Sequence, residues 1–203
     1  MGDFDRAIAE FDTAIRLNPQ LTAAYANRGF AWFAKQEPQK AIADFDQVIR
    51  QDPQSAMAYN NRGYNRQLLG RYHEALADYE RALQIAADYV LAHQNRAWLL
   101  ATCPEASVRN GKEALAAAEK ACALNHGKHW PDWKTLAAAY AELGLFEKAV
   151  EWQTKAAKEA PEEERGGEQQ LVERYRAKQP HRFAPAQTGE RQGPKHQPTR
   201  ADR

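Results

Sequence analysis

Ile8, Phe11 and Ile15 stand three and four residues apart, the interval at which side chains share one face of an α-helix. The block that holds them, "AIAEFDTAIRLNP" (7–19), returns 34 residues later as "AIADFDQVIRQDP" (41–53) and again as "ALADYERALQIAA" (75–87). Between these blocks a second pattern keeps the same interval: "YANRGFAWF" (25–33), "YNNRGYNRQ" (59–67) and "HQNRAWLLA" (93–101). The breaks carry Pro19, Pro53 or Gly70, and β-branched alternation is absent. Two helical blocks therefore alternate along the chain, and self-similarity at this period marks a stacked repeat array.

Small residues say how the blocks pack. Gly29, Gly63 and Ala97 fall midway along each first helix, and Ala7, Ala41, Ala75, Ala114 and Ala149 near the start of each second helix. Aromatic rings stand beside them: Tyr25, Tyr59 and Trp133 in the first helices, Phe11, Phe45 and Tyr79 in the second. A lone hairpin of this kind cannot bury its apolar face, so neighbours must stack to complete a core.

These positions resemble the tetratricopeptide repeat family, whose 34-residue signature runs aromatic, Leu-Gly, Tyr, Gly-x-Tyr, Ala, aromatic, Ala and Pro. The best matches are 22–55, 56–89 and 130–163, the last holding Trp133, Leu136, Ala137, Tyr140, Gly144, Phe146, Ala149, Ala156 and Pro161 in register. The resemblance covers residues 3–162, and the stretch from Leu99 to Ala157 is also similar to the terminal section of many bacterial members. It implies an all-α, right-handed solenoid of antiparallel helix pairs with about four and a half repeats. The expected organisation is a partial repeat at 1–21 (second helix only), repeats at 22–55, 56–89, 90–129 and 130–161, a capping helix at 162–178 and a disordered tail at 179–203.

Two departures stand out. After Leu100 comes "ATCPEASVRNG", and Ala114 arrives five residues later than the period demands, which predicts a longer loop between the helices of that repeat. At the other end, residues 3–18 form a second helix with no first helix before it, as in the C-terminal piece of a longer array or an incomplete first repeat.

Asn27-Arg28, Asn61-Arg62 and Asn95-Arg96 are one dipeptide at the repeat interval, and its two members point about 100° apart on a helix. Immediately before each second-helix aromatic stands an acid, Glu10, Asp44 or Asp78. Ala117 takes that place in the next repeat, and Leu136 then replaces Arg. Acid and base thus vanish together if the pairs run between repeats: Glu10–Arg28, Asp44–Arg62 and Asp78–Arg96. Such pairs fix register more than they add stability.

The family implies that the first helices line a concave groove. On helical spacing Asn27 shares a face with Phe30, Asn61 with Tyr64 and Asn95 with Trp98, an amide row beside an aromatic row. A carboxamide donates and accepts, so it can hold an extended peptide backbone without reading its side chains. The competing reading has the amides capping or bridging neighbouring helices. Chaperone-binding members of that family hold a C-terminal carboxylate with Lys and Asn on successive first helices, and here only Asn61 suits such a clamp.

Composition adds exclusions. The formal net charge is +1, so no global field draws the chain to nucleic acid or acidic lipid. The tail from 179 to 203 holds five Arg or Lys and two acids and reads as solvated. No apolar run spans a bilayer and no signal peptide is visible, which points to the cytoplasm. Cys122, His126 and His129 have metal-ligand spacing, but Cys122 replaces a core Leu, and no metal or other cofactor is expected. Cys103 and Cys122 read as small buried hydrophobes, with pairing left open. No phosphate loop, nucleophile elbow or zinc-protease motif is present. The expected function is a non-enzymatic scaffold that binds a protein segment along Asn27, Phe30, Asn61, Tyr64, Asn95 and Trp98. The alternatives are self-association through a solenoid end and, less favoured, binding of RNA by the Arg row.

Overall fold

The computed structural model describes residues 2–184 and contains ten helices among them. These are α1 (Gly2–Leu17), α2 (Thr22–Ala34), α3 (Pro38–Gln51), α4 (Ala56–Leu68), α5 (Tyr72–Ile85), α6 (Val90–Thr102), α7 (Gly111–Leu124), α8 (Trp130–Glu142), α9 (Phe146–Glu159) and α10 (Glu162–Arg176). Each packs on its chain neighbours, and α4, α6 and α8 also touch in sequence, so the first helices of the pairs lie side by side. The chain is an α solenoid.

Local chemistry places the helix ends. Pro38 opens α3, where its missing N–H costs nothing. The Asn110 side chain accepts from the Glu113 N–H at 3.2 Å and starts α7. Gly70 at φ 75° and Gly144 at φ 76° take the left-handed conformation after α4 and α8.

The core is a string of clusters along the stacked helices. Phe45 is fully buried among Ala26, Ala41, Val48 and Ala58, and its ring tip fills the notch beside Gly29. Tyr79 sits likewise against Gly63, where an added Cβ would lie 3.0 Å from both the Tyr79 ring and the Asp78 Cβ. Ala97, Ala117, Ala118, Trp133, Leu136 and Ala156 form a further cluster. The alternation of small and aromatic positions thus sets how closely the helices approach. Truncating a ring such as Phe45 would cost about 3–5 kcal/mol.

The stretched repeat has the expected long loop, Cys103–Asn110, with Val108 buried and Arg109 donating to the Cys103 and Pro104 carbonyls at 2.8 and 3.0 Å. The disordered tail expected from Gln179 needs correction: Pro180, His181, Arg182 and Phe183 lie half-buried against the array. Lys178 at φ 54° reverses the chain after α10, and the Gln179 N–H closes on the Arg174 carbonyl at 3.0 Å. Residues 185–203 of that expectation lie outside the described residues.

Candidate functional site

The arginine ladder exists, with different partners from those expected. Arg28 binds Asp44 of its own pair bidentately, Nε to Oδ2 at 2.9 Å and Nη2 to Oδ1 at 2.6 Å. Its remaining arm reaches Asp12 on α1 at 2.6 Å. Arg62 repeats the arrangement with Asp78 at 3.0 and 2.6 Å and Asp46 at 2.7 Å. Arg96 spans Glu80 at 3.4 Å and Glu113. Each Arg therefore bridges an acid of its own pair and an acid of the preceding one. The proposed pairings Glu10–Arg28, Asp44–Arg62 and Asp78–Arg96 are overturned: Glu10 bonds Arg6, while Asp44 and Asp78 serve Arg28 and Arg62. Two residues along a helix are about 200° of rotation, so Asp44 turns into its own pair and Asp46 faces the next. Ala117 is no obstacle to pairing within a repeat, because Arg96 takes Glu113 one turn earlier. Asp44 and Asp78 are buried, and burial lifts the Asp44 carboxyl above its ordinary range against the pull of Arg28.

The first-helix face carries the proposed groove residues. Asn27 is exposed and Phe30 half-buried, its ring edge-on to Phe45 at 5.5 Å. Asn61 donates to the Met57 carbonyl of its own helix at 2.8 Å. Asn95 donates to the Asn60 side chain at 2.9 Å, tying α6 to α4. Tyr64 stacks edge-on to Phe33 at 5.5 Å, and burial pushes its hydroxyl pKa up. Trp98 lies half-buried under the Lys134 ammonium, 5.4 Å from the ring centre. Two of the three amides are thus engaged within the array, and Asn95 bridges neighbouring helices as the competing reading described, while Asn61 bonds within its own helix.

The face is already occupied near Trp98. The His181 ring lies 5.5 Å from it. The Phe183 N–H donates to the Thr102 carbonyl at 3.2 Å, and the Phe183 ring meets Tyr72 edge-on at 5.6 Å. The Arg182 guanidinium donates to the Ala101 carbonyl at 3.3 Å and to Glu142 Oε2 at 2.5 Å. Arg109 of the inserted loop holds the other oxygen of Glu142 at 3.1 Å. Burial, with the charges of Lys134, Arg174 and Arg182, lowers the His181 pKa to about 4. The sequence reading named Trp98 but missed His181, Arg182, Phe183, Tyr72 and Glu142. A signal was present: Pro104 falls 34 residues after Gly70, where the repeat needs a left-handed residue.

The Cys122–His126–His129 constellation does not converge. Cys122 packs in the Trp133 cluster, His126 is exposed, and His129 faces Asp132 at 3.6 Å. Among the described residues no three His, Cys, Asp or Glu side chains are grouped as a metal ion would require. Cys103 and Cys122 are both free thiols in separate clusters. No described helix is long and apolar enough to cross a membrane.

Two tetratricopeptide repeat family models match the chain, one at residues 1–56 and 33–90 and the other at 135–163. The inserted loop falls between these matches. No curated protein sequence matches. Among solved structures, MamA is 23% identical, with 77% of this chain and 88% of that chain covered at a TM-score of 0.66. YrrB, described as a TPR protein with an unusual peptide-binding site, is 22% identical over 86% of this chain and 84% of that one, TM-score 0.65. TTC0263 of Thermus thermophilus, described as a thermophilic TPR protein, is 20% identical over 87% and 91%, TM-score 0.64. At these identities the likeness speaks for the fold. With the small and aromatic residues at a 34-residue interval, the stacked helix pairs and the two model matches in agreement, the chain belongs to the tetratricopeptide repeat family, a fold that serves as a protein–protein interaction scaffold.

Proposed function

We propose that the chain is a non-enzymatic interaction module that holds an extended segment of a partner protein along the first-helix face of α2, α4 and α6. One observation carries this reading: a non-helical piece of chain, Pro180–Phe183, is already seated at the α6 end of that face, its His181 ring on Trp98 and its Phe183 N–H on the Thr102 carbonyl. The remainder of the face offers Asn27, Phe30, Asn61 and Tyr64, whose polar groups and rings would continue such a track. The peptide-binding site described for the structurally similar YrrB supports the reading by analogy.

The test is selection of binding peptides from a random display library, followed by titration onto the Asn61→Ala/Tyr64→Ala variant with helicity checked by circular dichroism. The reading expects affinity to fall at least about tenfold, the equivalent of 1.4 kcal/mol. Undiminished binding to a folded variant would contradict it. A second reading, self-association, draws on Phe4 and Leu17 of α1, which are 47% and 74% exposed. It predicts a mass that rises with concentration in light scattering, whereas a groove receptor keeps the mass of one chain.

A further inference from the structure

Three first helices end alike. Gln36, Gly70 and Gly144 adopt φ of 60°, 75° and 76° after α2, α4 and α8. The chain then folds back, and the next N–H reaches the last turn: Glu37 to Trp32, Arg71 to Arg66 and Leu145 to Tyr140, each at 2.9 Å. This closure satisfies carbonyls that a helix end leaves without partners. After α6 the corresponding residue is Pro104, whose ring fixes φ at a negative value. The helix therefore cannot close as the other three do. Its Leu99 carbonyl takes the Cys103 N–H, and its Leu100 carbonyl takes the Asn110 N–H from the far end of the inserted loop. The Ala101 and Thr102 carbonyls are taken by the tail, through the Arg182 side chain and the Phe183 N–H.

We propose that the C-terminal turn of α6, with Tyr72, Trp98 and Glu142 around it, is a receptor site for a short extended segment bearing an arginine followed by an aromatic residue, and that His181–Phe183 fills it in cis until a partner segment of the same chemistry displaces it. This rests on the groove reading and names the partner's chemistry.

Each contact selects something. The Thr102 carbonyl asks for a backbone N–H and reads no side chain. Glu142, held in place by Arg109, and the Ala101 carbonyl together ask for a forked donor, which a guanidinium supplies and an ammonium does not. Tyr72, with Leu99 and Cys103 behind it, offers an apolar wall for a ring. Trp98 accepts a flat, uncharged ring, because Lys134, Arg174 and Arg182 surround that position. The occupant is tethered a few residues beyond α10, which sets an effective concentration of about a millimolar. A partner must therefore bind tightly or add contacts farther along the face, toward Tyr64 and Asn61.

The experiment uses the full chain and a fluorescein-labelled peptide with the sequence of residues 179–184, read by anisotropy. Wild type and the Arg182→Ala/Phe183→Ala variant are titrated in parallel. The expected result is at least roughly tenfold tighter binding to the variant, whose own tail no longer competes. Adding Glu142→Gln to that variant should weaken binding again, and a peptide with Ala in place of its Arg and Phe should not bind. Equal affinity for wild type and variant, or no binding to a variant of unchanged helicity, overturns the proposal. The groove reading has a separate test: it falls if library-selected peptides ignore Asn61→Ala/Tyr64→Ala.

Discussion

α4 and α6 carry the same Asn-Arg pair at the same place in the repeat and are completed in opposite ways. In α4, Arg62 grips the buried Asp78 bidentately, and Gly70 lets the helix close with its own backbone. In α6, Arg96 reaches two acids that are about half exposed, and Pro104 leaves the final turn to be finished by residues from 81 positions downstream. The first region is sealed by buried charge and local geometry. The second is finished by a tethered segment, and a contact made that way can be exchanged. The lesson is that a repeat whose internal closure is missing takes its hydrogen-bond partners from elsewhere in the chain.

The comparison breaks most sharply at the arginines. Arg28→Ala, in the α2 copy of the α4 arrangement, leaves Asp44 buried without its guanidinium and should cost about 3–5 kcal/mol. Arg96→Ala leaves two solvated carboxylates and should cost about 0–1 kcal/mol. Urea denaturation of the two variants measures the gap, and equal losses would refute the contrast. Next in size is Gly63→Ala, where the added Cβ meets Asp78, Tyr79 and the Ala75 carbonyl at 3.0–3.1 Å. It should destabilise by about 1–3 kcal/mol in the same assay.

The docked tail has its own signature in pH. His181 carries a pKa of about 4 when docked and an ordinary histidine value near 6.5 when released. The released state therefore binds more protons between those values, so docking is strongest above about pH 6.5 and weakens as pH falls toward 4. Between pH 7.5 and 5 the released fraction should rise roughly tenfold or more, followed by Trp98 fluorescence against a His181→Phe variant that stays flat. The smallest effect belongs to α10, where an added Cβ at Gly166 or Gly167 meets nothing within 4 Å. Gly166→Ala should raise stability by about 0.5–1 kcal/mol, visible as a higher thermal midpoint.

The fold was legible in the sequence because close helix packing demands small residues at fixed places, and Gly29, Gly63, Ala41 and Ala75 keep those places at the repeat interval. The ladder was legible in its arginines and misread in its acids. Spacing alone does not say which of Asp44 and Asp46 faces the neighbouring pair, since that depends on how the stacked helices cross. The candidate face was partly legible: Phe30, Tyr64 and Trp98 follow from helical periodicity, whereas the internal bonds of Asn61 and Asn95 depend on side-chain geometry. The tail's seat escaped notice because its composition, rich in Pro, Gln and Arg, reads as solvated chain. A few residues seated against an unfinished helix end leave little trace in composition.

The central question is whether the tail lies on the unfinished end of α6. Placing p-benzoyl-L-phenylalanine at position 183 of the full chain, irradiating and mapping the linked peptides by mass spectrometry tests this directly. The prediction is intramolecular linkage to peptides containing Tyr72 and the α6 segment around Leu99 and Cys103. Linkage spread over unrelated surfaces, or none, would contradict it.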